Sequence, residues 1–170
     1  MGHRLGRGLG GRRGGSRVRR AVARRHAGLI EELRDRALAA ADGSGDVRDC
    51  LVRPVTAHLT GLGSPTWYAR FCAQVMTDPA LHEIMVEESL TSPALREAID
   101  GPNRTLPALP GEVRAERGQM VRTLIPHTCA ERERALAEGT LTPRATWGEV
   151  ATGLADAIVG LWPAPVTRAR

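Results

Sequence analysis

The 170-residue chain contains no lysine, and all 24 of its basic residues are arginine. Aromatic residues are scarce, at 3%, with one Tyr, one Phe and three Trp. No segment alternates apolar and polar residues in strand fashion, and β-branched runs are few. Together these absences exclude a β-rich fold and leave an all-α helical bundle as the expected class. Three cysteines, Cys50, Cys72 and Cys129, are odd in number and far apart. That pattern excludes a secreted disulfide framework and predicts free thiols, used as small core residues in a reducing cytoplasm. Long hydrophobic runs are missing too. The longest apolar stretch, residues 150–166, contains Asp156, and no segment has the run of about 18 apolar residues that a membrane span requires. The 7–15-residue apolar core of a signal peptide is also absent, so the expected location is cytoplasmic.

Acidic residues are absent from the first 25 positions, where nine arginines lie. Residues 26–170 therefore hold 15 basic against 19 acidic residues, a net of −4, although the whole chain is +5. Any nucleic-acid contact must rest on the leader, because the body offers no positive footprint. Residues 1–17, almost entirely Arg and Gly, read as a disordered leader. In lysine-free, arginine-rich coding sequence they also read as the product of a mistaken start. A folded body is expected over residues 18–166, followed by a short tail at 167–170.

Helix signals punctuate that body. A first helix is expected from Arg17 to Ala41, with Val18, Val22, Leu29, Ile30, Leu33, Ala37 and Leu38 at helical spacing, ended by "DGSG". Asp46 is placed to cap a second helix running to Leu62, burying Val47, Leu51, Val55, His58 and Leu59 and bent at Pro54. Ser64 and Pro65 form a cap-then-proline start for a third, carrying Trp67, Phe71, Cys72, Val75 and Met76 inward. The same device recurs at Asp78-Pro79, opening a fourth helix through Leu81, Ile84, Met85 and Leu90, and at Ser92-Pro93. Residues 101–111, "GPNRTLPALPG", read as a loop. A long helix is expected from Glu112 to Glu138 with Val113, Met120, Leu124, Thr128 and Leu136 along it, kinked at Pro126 and ended by Gly139. The last helix should run from Trp147 to Trp162, capped by Thr146 and stopped by Pro163.

That last helix has two faces. Val150, Leu154 and Leu161 form an apolar stripe, while Gly153, Ala157 and Gly160 form a second stripe without bulk, where another helix can come close. Both a buried terminal helix and a subunit interface fit this pattern.

Motifs for chemistry mostly fail on context. "GRGLGG", Gly6 to Gly11, matches GxGxxG but lacks the preceding strand that a dinucleotide fold supplies. His82-Glu83 has no second His four residues on, and His127 and Cys129 point about 200° apart on a helix, so no metal or other cofactor is expected. Asn103-Arg104-Thr105 is a formal sequon without meaning in a cytoplasmic chain. No nucleophile, base and oxyanion donor assemble from the motifs, so the chain reads as a binder and not as an enzyme. Polar side chains among apolar ones, at His58, Tyr68, Thr123, His127 and Thr128, suit a small-molecule pocket.

The order "RRHAGLIEELRDRALAAA", "LVRPVTAHL", "WYARFCAQVMTDPALHEIMVEE", "MVRTLIPHTCAERERALAEG", "TWGEVATGLADAIVGLW" resembles the C-terminal ligand-binding and dimerisation domain of bacterial TetR/AcrR-family transcriptional regulators, over residues 18–166. The resemblance implies a homodimer joined through the last two long helices, with Val150, Gly153, Leu154, Ala157, Gly160 and Leu161 at the interface. It also implies an apolar effector site between the second, third and long helices, for which Trp67, Phe71, Met120, Leu124 and His127 are the expected lining. The family's N-terminal helix-turn-helix is not matched. The Arg/Gly leader stands in its place, which predicts at most nonspecific, salt-sensitive contact with DNA. Two other readings stay open: a helical protein whose basic arm binds nucleic acid, and a small cytoplasmic enzyme.

Overall fold

The computed structural model describes residues 10–41, 48–79, 91–105 and 109–166. Among these there is no strand, and the chain is all-α. Helix α1 spans Gly10–Ala40, a π-helical turn at Arg48–Val52 leads into α2 at Arg53–Leu62, and α3 is Tyr68–Thr77. α4 is Pro93–Thr105, α5 Gly111–Glu138 and α6 Trp147–Leu161. The expected cap at Asp46, the "DGSG" stop, Val47, the fourth helix from Leu81 to Leu90, His82-Glu83, the start of GxGxxG and the tail lie outside the described residues.

The π-turn and α2 form the centre. The turn packs against α1, α4 and α6, and α2 packs against α1 and α6. Cys50, Leu51 and Val52 on the turn are buried, and Leu59, Ala98, Val121, Cys129, Leu154, Ile158 and Trp162 close around them. Pro54 explains the local form. It lacks the N–H that an α-helix would send back to the Cys50 carbonyl. The buried guanidinium of Arg34, on α1, donates to that carbonyl through Nε at 2.9 Å.

Several boundaries differ from expectation. Residues 10–17 are helical where a disordered leader was expected, continuing α1 toward its N-terminus. Val18, Val22 and Leu29 are exposed, so the buried or half-buried side of α1 runs through Ala23, Ile30, Leu33, Ala37 and Leu38 instead. α4 continues through Gly101 to Thr105, where a loop was expected. Ala94, Leu95, Ala98 and Ile99 give α4 a stripe that packs toward α1, and this tertiary packing outweighs the helix-breaking residues at its end.

Helix α5 runs on through Pro126. A run at a spacing of four, Val113, Arg117, Val121, Ile125, Cys129 and Glu133, faces inward along it, with Leu124, Thr128, Ala130 and Arg132 beside its later part. Four residues turn a helix about 40° past a full revolution, so this stripe winds around α5. Its early part faces α6, and its late part faces α3. Met120 and Leu136, expected on the stripe, are left exposed by the drift.

Candidate functional site

Charged side chains on the long helices fix the ends of the short ones. Glu133 on α5, 1% exposed, accepts from the backbone N–H of Ala69 at 3.1 Å and of Arg70 at 2.9 Å. These are orphan donors in the first turn of α3, so a residue far away in sequence provides that helix's cap and favours its positive end. Arg70 completes the arrangement by donating its Nε to Glu133 at 3.2 Å. The cap sets the start of α3 at Tyr68, three residues beyond the proline expected to open it. Trp67 consequently sits before the helix and not within it. It is 67% exposed, with the Arg70 guanidinium 4.1 Å from its ring centroid, which corrects its expected inward placement.

Glu31 on α1 repeats the device at α4. Its carboxylate accepts from the Ser92 hydroxyl, from Ala94 N–H at 3.0 Å and from Arg34 at 2.8 Å, while Ser92 Oγ accepts from Leu95 N–H at 3.1 Å. The opposite sign appears at the opposite pole. Arg117 on α5 donates to the carbonyls of Trp162 and Ala164, at 2.5 and 2.6 Å, at the C-terminus of α6. Arg132 holds the turn before α6 by donating to Thr142 Oγ1 and the Ala145 carbonyl. At the N-terminus of α6, Thr146 caps the helix as expected, and Glu149 completes a capping box with it.

With α3 so fixed, Tyr68 lies between two imidazoles. The His26 ring stacks on it at 4.2 Å and 25°, and His58 meets it edge-on at 5.4 Å. His26 Nδ1 and His58 Nε2 are 2.7 Å apart, a hydrogen bond in which one ring donates and the other accepts. Burial holds both imidazoles below their ordinary range, with Arg25 adding to the effect at His26 and His26 at His58. Burial drives the Tyr68 hydroxyl the other way, above its ordinary range, and its hydrogen bond to Cys72 adds to the effect. The thiols of Cys72 and Cys129 are pushed up to about 11 and about 12, mainly by burial. They are therefore protonated at neutral pH and are not nucleophiles.

The expected ligand residues divide between two packed helices. Trp67 immediately precedes α3 and Phe71 lies in its first turn, while Met120, Leu124 and His127 belong to α5. Phe71 and Leu124 are half-buried against the core, whereas Trp67, Met120 and His127 are exposed. An open cleft of about 490 Å³ is lined by Arg19, Phe71, Gln74, Val75, Thr77 and Asp78. A shallower groove of about 280 Å³ lies over Leu33, Ala37, Ala40, Ala41, Arg53, Pro54 and Ala57. Of the five expected residues, Phe71 alone lines either one. His26, which joins the ring cluster, carried no sequence signal beyond its helical phase with Ile30 and Leu33.

The expected interface residues also separate. Val150 and Leu154 lie in the chain's own core with Ala151 and Ile158, and Leu161 is half-buried beside them. Ala157 and Gly160 face outward. At Gly153 the Arg144 side chain occupies the open side, its Nε 2.6 Å from where a Cβ would stand, whereas nothing lies within 4 Å of that point at Gly160.

Among the described residues there is no cluster of three or more His, Cys, Asp and Glu suited to a metal ion, and no helix is long and apolar enough to cross a membrane. The chain matches no family model, no curated protein and no solved structure.

Proposed function

We propose that the chain is the small-molecule-sensing and dimerisation domain of a cytoplasmic transcriptional regulator of TetR/AcrR type, binding an apolar effector without transforming it. The observation that carries this reading is the closing pair of helices. α5 and α6 pack on one another, and α6 places its large apolar residues in the core while Ala157 and Gly160 stand free on its outer side. A helix of a second copy can approach such a side closely, and Val159, 43% exposed, supplies apolar area beside it. The order of helices before this pair supports the same assignment. The effector site on this reading lies between α2, α3 and α5, where Phe71 and Leu124 are half-buried against the core. Without a recognition helix in its described part, the chain is expected to bind no operator selectively. Multi-angle light scattering at micromolar concentration tests the core of the proposal. A mass of twice the chain is expected, and a monomer would remove the interface on which the assignment stands.

A further inference from the structure

Residues 17–25, "RVRRAVARR", form a length of α1 in which every residue except Ala23 is exposed. Such a helix has almost no core-facing stripe of its own. Five of its nine residues are arginine and none is acidic. Helical phase gathers three of them, since Arg17, Arg20 and Arg24 recur at i, i+3 and i+7 and share one side over about 10 Å. Arg19 lies on another side of the helix, 3.9 Å from Asp78.

We propose that this arginine row is a docking surface for the phosphate backbone of a nucleic acid, bound without sequence preference. Charge complementarity carries the assignment. The net +5 of the whole chain arises from the first 25 residues, the remainder being −4, so the excess positive charge lies in the part of the sequence that holds this row. The cation is arginine throughout, whose planar fork matches phosphate oxygens two at a time. The apolar residues of the segment favour nucleic acid over a lipid surface. Val18 and Val22 are the only sizeable ones, and no Trp, Phe or Leu stands among residues 17–25 to enter a bilayer. Residues 10–25 contain no Asn, Gln, Asp or Glu, so the side chains that read adenine and cytosine edges are missing and Arg, which also serves the phosphates, dominates the polar set. This surface does not depend on the dimerisation reading.

The test is fluorescence anisotropy of the full chain with a short labelled duplex DNA of mixed sequence, repeated with an unrelated sequence and with phosphatidylserine vesicles. Equal affinity for both duplexes is expected. For three to five phosphates neutralised, affinity should fall about 40- to 500-fold between about 50 and 200 mM salt. The combined variant Arg17→Gln, Arg20→Gln, Arg24→Gln should lower the salt slope by about three, whereas Arg96→Gln with Arg122→Gln, exposed on other helices, should leave it in place. A salt-independent affinity of the unmodified chain overturns the proposal without any variant. So does selectivity for one duplex, tighter binding to the vesicles, or an unchanged slope in the triple variant.

Discussion

At the scale of single residues, Glu133 shows how a buried charge is made tolerable. Its carboxylate exchanges water for two backbone N–H groups and a guanidinium, all held in place by an already formed helix end. Replacing it with Ala leaves those two N–H groups unpaired in the interior. Glu133→Ala should lower stability by about 3 kcal/mol, read as a shift in the urea midpoint. Glu31→Ala should cost less, because the Glu31 side chain is 22% exposed and water can reach the groups it releases. Nothing local marks Glu133 for this role. Glu131, two residues earlier on the same helix, is 69% exposed and paired with Arg134. Which of the two meets another helix's N-terminus depends on contacts between residues some sixty positions apart, beyond the reach of local pattern. The two histidines give a second residue-scale expectation. Both are held below the ordinary value of 6.5 in the folded chain, so the unfolded chain takes up protons first as pH falls. Their arrangement is therefore without cost above about pH 6.5, and stability declines as pH drops below that value. Urea unfolding at pH 7.5 and 5 should show this loss, and His58→Gln should reduce the part that comes from the pair.

At the scale of elements, the end of α5 and the start of α6 were legible, because their signals are local. Thr146 with Glu149, and Gly139 after the long helix, act where their residue types place them. Gly139 takes φ 66°, and Thr140 N–H returns to the Ala135 carbonyl at 2.9 Å, closing the terminus of α5. A Cβ at Gly139 would meet nothing within 4 Å, so the cost of Gly139→Ala is backbone strain alone. It should lower stability by about 1 kcal/mol, measured by thermal or urea unfolding. The face of α5 was misread because a pattern of every fourth residue drifts, and a fixed 3.6-residue stripe averages it away. The start of α3 was misread for a different reason. Ser64-Pro65 is a good local start signal, but the Glu133 carboxylate acts farther along and sets the first turn at Tyr68. In α4 the local signals of Gly101 and Pro102 were likewise outweighed by the stripe packed toward α1.

At the scale of the whole molecule, the pattern of charge and the pattern of bulk differ between the two ends of the chain. The arginines of residues 17–25, toward the start of the first helix, stand in solvent, while Val150, Leu154 and Ile158 of the last helix are withdrawn into the core and leave Ala157 and Gly160 outside. The sequence made the small-residue stripe visible but could not say which of its members was already covered, because Arg144 reaches Gly153 only through the folded turn before α6. This distinction sharpens the mutational test of dimerisation. At Gly153 a leucine would displace Arg144 within one copy, so any loss of association there mixes two effects. At Gly160 nothing within the chain stands in the way, and a leucine is accommodated by a single copy on its exposed surface. Leucine also has the better helix propensity, by roughly 0.8 kcal/mol over glycine, so the single copy should gain stability if it changes at all. Gly160→Leu should therefore give a monomer by light scattering while its unfolding midpoint, taken at a dilution where the unmodified chain has also dissociated, stays equal or rises. A dimer that survives this substitution would move the interface off this side of α6. A fall in the midpoint of the diluted chain would instead place Gly160 against its own core, contrary to its exposure.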